Sequence, residues 1–355
     1  MNRRAPGTGK QAFALAAACF LAAVPVILRL ALTHQPEEEW DRKGETHGTQ
    51  TKCAGTENSA QTGNALETET MTVHIPGDGE KTTLLWVSDL HLMDPEDRGV
   101  RKEKKQEVED RRTLMETPDK IPSAELWKSM APTLDSMGAD GIILGGDMID
   151  YASGSNLELF KENLASWKTP WMYLRADHDY GRWYTDLSLK KMRALQRQVC
   201  PQNSVWLWRF DDFNLVGLDN TTSPLSDEAL NEFEKIYASG KPMVLCMHVP
   251  IDQQEPDAGT CRDGSRSTLK DLSVRDWGRN LTWGEGAFYD SSKNSNMKRL
   301  IGLVYEKGSP VKAVLTGHLH DSWDGMAGKT AAEHVFSPAF SGTAGVVNIV
   351  ADKND

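Results

Sequence analysis

The chain has 355 residues, enough for one large domain or two ordinary ones, and its 39% apolar content is adequate for a core. Its net charge of −11 argues against a nucleic-acid-binding protein, although a local metal site can still attract phosphate groups. None of the five cysteines stands in a C-x-x-C pair, which disfavours a zinc ribbon or a thioredoxin-type motif.

Residues 1–33 are predicted to be a signal or a membrane anchor. Three basic residues among the first ten precede an uncharged apolar stretch from Ala12 to Leu28. The stretch is short for a membrane span, but Arg29 can snorkel and extend it. Because no clean cleavage site follows, we favour an uncleaved anchor over a cleaved signal. Both alternatives place the rest of the chain outside the cytoplasm.

Residues 34–70 are predicted to be a flexible polar linker. This stretch is rich in Glu, Thr, Gly and Gln and has few apolar side chains, so it cannot bury enough surface to become ordered. In an extracytoplasmic chain, Cys200 and Cys261 are the candidates for a disulfide, but an odd cysteine count gives this pairing little support.

Residues 71–355 are predicted to form one folded α/β domain. Five short apolar runs, TLLWV, GIIL, WMYL, MVLC and AVLT, are typical of strands buried on both faces. Stretches with helical periodicity stand between them, with Ser123, Ser155 and Ser226 as expected N-caps. A hairpin is expected to turn at Asp211 and Asp212, and the C-terminal residues favour strands without an intervening helix. The sheets are therefore expected to be mixed.

Two stretches interrupt this alternation. Residues 94–122 are highly charged and are expected to be a solvated loop or an exposed helix. Residues 251–295 are polar and carry Trp277, Arg279, Trp283 and Phe288. Because long loops in compact domains are often functional, we expect this second stretch to be a loop with a functional role.

Potential metal ligands follow each of the five apolar runs. The successive motifs contain Asp89 and His91; Asp147 and Asp150; Asp177, His178 and Asp179; His248; and His318 and His320. Ligands in open α/β sheets gather at the carboxyl ends of strands, so these side chains are expected to converge. A single D-x-H or a single histidine is more often structural, but five such motifs in succession favour a site.

The number of Asp and His side chains is too large for one metal ion. A single catalytic ion takes three or four protein ligands, whereas seven or eight suit two ions that share a bridging carboxylate. Two-metal sites hold the attacking and leaving oxygens of a phosphoryl displacement. Carboxylate and imidazole ligands suit manganese, iron and zinc alike, so the pattern predicts two divalent ions without selecting one metal.

The motif order D-x-H, G-D-x-x-D, H-D, H and G-H-x-H resembles the calcineurin-like metallophosphoesterase superfamily over roughly residues 84–320. This resemblance implies a four-layer αββα sandwich of two mixed β-sheets. It also implies a two-metal phosphoester hydrolase whose nucleophile is a hydroxide bridging the metals, without a covalent enzyme intermediate.

The resemblance also implies residue roles by motif position. One metal would be held by Asp89, His91, Asp147 and His320, and the other by Asp147, Asp177, His248 and His318. Asp147 would bridge the two. His178 would be the general acid that protonates the leaving oxygen, and Asp150 would orient His178.

One position departs from the family pattern. The family usually has Asn before the catalytic histidine, and this chain has Asp177. An aspartate still offers a ligand oxygen, but its charge makes the site less attractive to a phosphate dianion. We therefore expect Asp177 to tighten the second metal and to bias the enzyme away from dianionic monoesters and toward diesters. Arg182 is the candidate phosphate contact, the alternative being a surface ion pair with Asp179.

Two other function classes stay open at this stage. The chain can be a non-catalytic metal-binding module that keeps the fold, although the presence of His178 disfavours that interpretation. It can also be a metal-dependent nuclease, which the acidic composition disfavours. The sequence does not identify the phosphoester substrate or the oligomeric state.

Overall fold

The computed structural model describes residues 66–199, 205–221, 225–251, 259–267, 269 and 295–352. The predicted signal or anchor, residues 34–65 of the predicted linker, Cys200 and the four aromatic and basic residues singled out in the 251–295 stretch lie outside the described residues. Among the helices that the structure describes, none is long and apolar enough to cross a membrane.

The first sheet contains five described strands in the order β1-β13-β2-β3-β4. These strands are β1 (Glu67–Pro76), β2 (Thr82–Val87), β3 (Gly141–Leu144), β4 (Trp171–Tyr173) and β13 (Thr343–Asp352). Strands β2, β3 and β4 run parallel, whereas β13 is antiparallel to β2 and parallel to β1. The sheet is therefore mixed, as expected.

The second sheet contains eight described strands in the order β5-β6-β7-β10-β12-β11-β8-β9. Their ranges are β5 (Val205–Arg209), β6 (Asn214–Leu218), β7 (Met243–Cys246), β8 (Gly259–Cys261), β9 (Arg266–Ser267), β10 (Val311–Thr316), β11 (Trp323–Ala327) and β12 (Ala331–Val335). The central strands β6, β7, β10 and β12 are parallel, and the outer pairings are antiparallel. The β5–β6 pair confirms the expected hairpin around Asp211 and Asp212.

Helices cover the outer face of each sheet. The helices of the described residues are α1 (Lys105–Leu114), α2 (Ser123–Ser136), α3 (Gly154–Leu164), α4 (Asp177–Tyr180), α5 (Leu189–Val199), α6 (Asp227–Tyr237) and α7 (Ser295–Tyr305). Apolar residues of α2, α3 and α5 pack on the first sheet, and those of α6 and α7 pack on the second. A third apolar cluster, which includes Trp86, Ile143, Val244 and Leu315, fills the space between the sheets. The fold is thus the expected αββα sandwich.

Three local expectations need correction. Strand β1 begins at Glu67, so the predicted linker boundary at residue 70 falls inside a strand. Its alternating side chains, with Met71, Val73 and Ile75 buried, pair with the distant strand β13, a partner that local composition does not show. Helix α3 is capped by Ser153 rather than Ser155, since the Ser153 side chain accepts from the backbone N–H of Asn156.

Ser226 caps α6 as predicted, because its side chain accepts from the backbone N–H of Ala229. Ser123, by contrast, is the first residue of α2, and Pro122 occupies the N-cap position without a side-chain hydrogen bond. Pro122 keeps extended backbone at this position, with a φ of −64° that its ring fixes. Cys261 is buried, and its predicted pairing with Cys200 stays a prediction.

Candidate metal centre

The loops that follow β2, β3, β4, β7 and β10 bring the predicted ligands together. Ligand atoms lie within 4.8 Å of one another in each of two groups, Asp89, His91 and His320, and Asp147, Asp177, His248 and His318. Parallel pairing of β2 with β3 and β4, and of β7 with β10, aligns the carboxyl ends of these strands. The convergence therefore follows from the sheet topology.

The first group is centred on imidazole Nε2 atoms. The Nε2 atoms of His91 and His320 are 3.0 Å apart, and His320 Nε2 lies 3.5 Å from Asp89 Oδ1. His91 Nε2 is also 3.9 Å from Asp147 Oδ2. Asp147 thus stands between this group and the second one.

In the second group, Asp147 Oδ2 lies 3.2 Å from His248 Nε2. His248 Nε2 is also 3.8 Å from Asp89 Oδ1. Both carboxylate oxygens of Asp177 are buried, and neither has a hydrogen-bond partner in any other described residue. A buried acid without donors costs free energy unless a cation or a proton satisfies it.

Two histidines are oriented by hydrogen bonds through their other ring nitrogen. His248 Nδ1 donates to the carbonyl of Gly145 at 2.9 Å, since a carbonyl can only accept. His91 Nδ1 donates to Asp150 Oδ1 at 2.8 Å. In the neutral imidazole, both bonds leave Nε2 with a lone pair toward the other ligands, which is the arrangement that a metal-binding histidine needs.

The backbone at the ligands is held in the left-handed region. The φ angles of five candidate ligands are positive: 56° for Asp89, 47° for His91, 51° for Asp147, 74° for His318 and 54° for His320. Non-glycine residues rarely adopt this conformation, and it clusters at functional sites where surrounding contacts enforce it. The loop ends are therefore shaped for ligand geometry rather than for local backbone preference.

Gly146, which precedes Asp147, has a φ of 101°. A Cβ at this position would lie 2.6 Å from His248 Nδ1 and 2.8 Å from Ala176 Cβ. Only glycine therefore lets the loops after β3, β4 and β7 approach this closely.

Asp179 holds two of these loops together. Its carboxylate accepts from the backbone N–H groups of Asp147, Met148 and Ile149 after β3, and from that of Ala176 after β4. The alternative expected for Arg182, an ion pair with Asp179, is wrong because this carboxylate is buried and committed to backbone donors. The Arg182 guanidinium donates instead to the carbonyl of Leu187, and its contact with phosphate stays a prediction.

The charges of the cluster are mutually dependent. Burial raises the pKa of Asp147, but attraction to His248 and His178 outweighs burial and lowers it well below its usual value. Burial and the nearby Asp147 charge raise the pKa of Asp177 well above its usual value. The surrounding carboxylates raise the pKa of His248 to about 10 despite its burial. Positive charge is needed in this cluster, and divalent cations can supply it.

The residues present therefore fit a pair of metal ions. Two groups of carboxylate and imidazole ligands lie around Asp147, and Gly146 permits the close approach of their loops. The buried Asp177 oxygens, which receive no hydrogen bond from the other residues that the structure describes, also favour a bound cation. These ligand types are those of manganese, iron and zinc sites.

His178 lies beside the cluster, near Asp147 and His91. Its backbone N–H donates to Asp147 Oδ1 at 3.2 Å, and its Nδ1 donates to the backbone carbonyl of Asp150 at 2.7 Å. The Asp150 carboxylate lies 3.5 Å from His178 Nδ1 but hydrogen-bonds to His91. Asp150 thus holds His178 mainly through its backbone, and its side chain orients a candidate ligand.

The sequence motifs did not reveal a basic residue that lies beside His178 and Asp150. Arg111, on α1, donates from Nε to Asp150 Oδ1 at 2.9 Å, and one of its terminal nitrogens lies 3.3 Å from His178 Nε2. Its side chain is only 5% exposed. The signal was the spacing of Val108, Arg111 and Met115 on one helix face inside a charged run.

The chain matches the family of calcineurin-like phosphoesterases over residues 82–322, more than half of its length, and it belongs to this family. A similar solved structure is a dimetal phosphatase from Danio rerio, with 12% identity, a TM-score of 0.42 and coverage of 73% of this chain and 88% of that one. Another is the purple acid phosphatase PPD1 from yellow lupin (Lupinus luteus) seeds, with 14% identity, a TM-score of 0.41 and coverage of 77% and 44%. No curated protein matches significantly.

Proposed function

We propose that this protein is a two-metal phosphoester hydrolase in which His178 is the general acid. The observation that supports it best is the pair of ligand groups joined at Asp147, with His178 directly beside them. Family membership supports phosphoester hydrolysis at the level of the class.

In this proposal Asp89, His91, Asp147 and His320 hold one divalent ion, and Asp147, Asp177, His248 and His318 hold the other. Manganese, iron and zinc are the candidate metals. Two bound ions would lower the pKa of a shared water and stabilise the charge that develops on the phosphoryl group. The protein's own contribution is to fix the ligand directions, through Gly145, Asp150 and the strained loop ends.

In this proposal His178 donates a proton to the leaving oxygen. Its Nδ1 is held by the Asp150 carbonyl, so Nε2 is the nitrogen left to face a substrate. Its side chain is 13% exposed, which leaves it open to a ligand while its backbone is tied to Asp147. General acid catalysis of this kind contributes roughly 10²- to 10⁴-fold to a rate.

Asp177 sets a preference for diesters over dianionic monoesters in this proposal. A carboxylate in place of a neutral amide adds a negative charge next to the position of the phosphoryl group. Its burial supports a strong effect, since charges interact more strongly away from water. Arg182 is a candidate contact for the phosphate group of the substrate.

We also propose that the chain is anchored in a membrane by residues 1–33, with the hydrolase domain outside the cytoplasm. The basic start and the apolar stretch in the sequence support this location. Secretion after cleavage of a signal is the alternative.

The function is tested with bis-p-nitrophenyl phosphate and p-nitrophenyl phosphate and with added manganese, iron or zinc. We expect metal-dependent turnover, faster with the diester. His178→Ala is expected to lower kcat by roughly 10²-fold or more while both metals stay bound. Absence of turnover with either ester, in protein shown to hold two metals, contradicts the proposal and favours a metal-binding module.

A further inference from the structure

Arg111 is a buried cation at the reaction corner to which the proposed function gives no task. It lies in the charged stretch 94–122, whose composition predicts a solvated segment. Its side chain is nevertheless 5% exposed, far less than that of Arg98 in the same stretch, at 49%. Burying a guanidinium is costly unless it is paired, so its position calls for an explanation.

Helix α1 fixes this position through apolar packing. Val108 is completely buried one turn before Arg111, and Met115 is buried one turn after it. Both belong to a small cluster that also contains Tyr151 and Phe340. Tyr151 directly follows Asp150, and the Phe340 ring packs against the ring of His320. The same apolar face therefore anchors α1 to the metal-binding loops and directs Arg111 into the site.

The hydrogen bonds of Arg111 define its role more closely. Its Nε donates to Asp150 Oδ1, and a terminal nitrogen lies 3.3 Å from His178 Nε2. A guanidinium can only donate, and His178 Nδ1 already donates to the Asp150 carbonyl. His178 Nε2 is therefore an acceptor in this arrangement. The Arg111 contact has to break before that nitrogen can carry a proton toward a leaving oxygen.

We propose that Arg111 binds the phosphoryl group of the substrate, exchanging its contact with His178 Nε2 for one with a phosphoryl oxygen. This inference rests on the proposed function, because it takes His178 as the group that faces the leaving oxygen. A leaving oxygen within about 3 Å of His178 Nε2 brings the phosphoryl oxygens into the region that the guanidinium already borders.

Arginine suits this exchange better than lysine. Its planar group presents donors in a fixed fork, so Nε can stay on Asp150 while the terminal nitrogens turn to phosphate. A lysine at this position can keep a charge near Asp150 but cannot make both contacts in that geometry. Arg111→Lys thus separates phosphate binding from the pairing of Asp150.

The experiment compares wild-type holoenzyme with Arg111→Lys and a matched control, Arg112→Lys. Arg112 is the next residue of α1, but it pairs with Asp97 and Glu109. Calorimetry measures the binding of inorganic phosphate. Separate assays give the metal content, the thermal unfolding and the KM for whichever p-nitrophenyl ester wild type hydrolyses faster. We expect Arg111→Lys to raise the phosphate Kd and KM by roughly tenfold or more, with two metals and the fold retained. Arg112→Lys is expected to leave the Kd and KM within about twofold of wild type.

Unchanged phosphate binding in a folded, two-metal Arg111→Lys protein overturns the inference. Loss of metal from this variant also overturns it, because Arg111 then acts on the ligands instead of the substrate. If wild type hydrolyses no ester yet binds phosphate through Arg111, the proposed function fails and the phosphate contact stands. If wild type hydrolyses esters and both variants bind phosphate as tightly as wild type does, the proposed function stands and only the inference about Arg111 fails.

Discussion

Asp177 is a buried acid that is expected to lower the stability of the metal-free protein and to favour metal binding. Its two buried oxygens have no hydrogen-bond partner in any other described residue, and the nearby Asp147 adds repulsion. Such a residue destabilises the metal-free protein when it is ionised, and a bound cation or a proton relieves that cost. This behaviour is expected of a ligand and is not expected of an acid retained for structure.

We therefore expect Asp177→Asn to stabilise the metal-free protein at neutral pH by about 1–3 kcal/mol. The pKa of Asp177 is raised in the folded state, so its carboxyl group reduces stability as pH rises above the pKa of the unfolded chain, near 3.9. The gain from the amide should accordingly vanish near pH 3 and be present at pH 7. Urea unfolding in EDTA at these two pH values measures it.

The same variant is expected to bind the second metal more weakly and to increase the monoester-to-diester rate ratio. Metal content and the two p-nitrophenyl esters provide the measurements. A variant that is no more stable than wild type in EDTA contradicts the stability argument. Unchanged metal affinity together with an unchanged rate ratio contradicts the assignment of Asp177 as a charged ligand.

Residue identities indicated the candidate ligands of this site but not the groups that support them. Asp89, His91 and the other ligands follow apolar runs, a local pattern that sequence displays. Asp179 binds backbone N–H groups 30 to 32 residues away, and Arg111 reaches Asp150 across 39 residues. Such contacts depend on the tertiary arrangement of loops, so short-range spacing cannot reveal them.

At the scale of elements, a buried histidine connects the two sheets. His334 on β12 has its Nδ1 2.5 Å from Oδ1 of Asp324, its directly opposite residue on β11. Its Nε2 lies 4.0 Å from Oε1 of Glu69 on β1, in the other sheet. Glu69 also accepts from the backbone N–H and hydroxyl of Ser337. The contact ties the N-terminal strand to the second sheet.

This cluster makes stability depend on pH. Burial lowers the pKa of His334, but its hydrogen bond to Asp324 and its attraction to Asp324 and Glu69 outweigh burial and raise that pKa to about 9. A raised histidine pKa contributes stability that is complete below the unfolded value, near 6.5, and is lost as pH rises through about 9. We expect Asp324→Asn to cost about 1 kcal/mol at pH 6, a modest value because Asp324 is 63% exposed.

That cost should shrink toward zero at pH 10, which urea unfolding at both pH values tests. Asp352→Asn is the matched control, because Asp352 pairs with His74 on the surface, where both side chains are more than half exposed. The control is expected to change stability by less than about 0.5 kcal/mol at either pH. An equal cost of Asp324→Asn at pH 6 and pH 10 refutes the assignment of a charged His334.

At the scale of the whole molecule, the order of the main elements was predictable because most strands and helices carry their own periodic signal, whereas β8 and β9 do not. The runs GIIL and MVLC coincide with β3 and β7, and the stretch after Ser226 is α6. The pairing of β1 with β13 was not predictable, because it joins residues about 276 positions apart through alternating, partly polar strands. Division into two sheets likewise came from the family resemblance, since periodicity does not specify strand order.

We expect residues 1–33 to determine whether the protein is bound to a membrane. An uncleaved anchor holds the full-length protein in the membrane pellet through an alkaline carbonate wash, because burial of its apolar stretch does not depend on charge. Deletion of residues 2–33 is expected to move the protein to the supernatant with its metal-dependent esterase rate unchanged. The matched control replaces the apolar stretch with an unrelated membrane-spanning sequence, which should restore pelleting. Two results together contradict the anchor: wild type is recovered in the supernatant, and mass spectrometry shows a new N-terminus beyond the apolar stretch. They indicate a cleaved signal instead, because loss of the apolar stretch removes its membrane affinity.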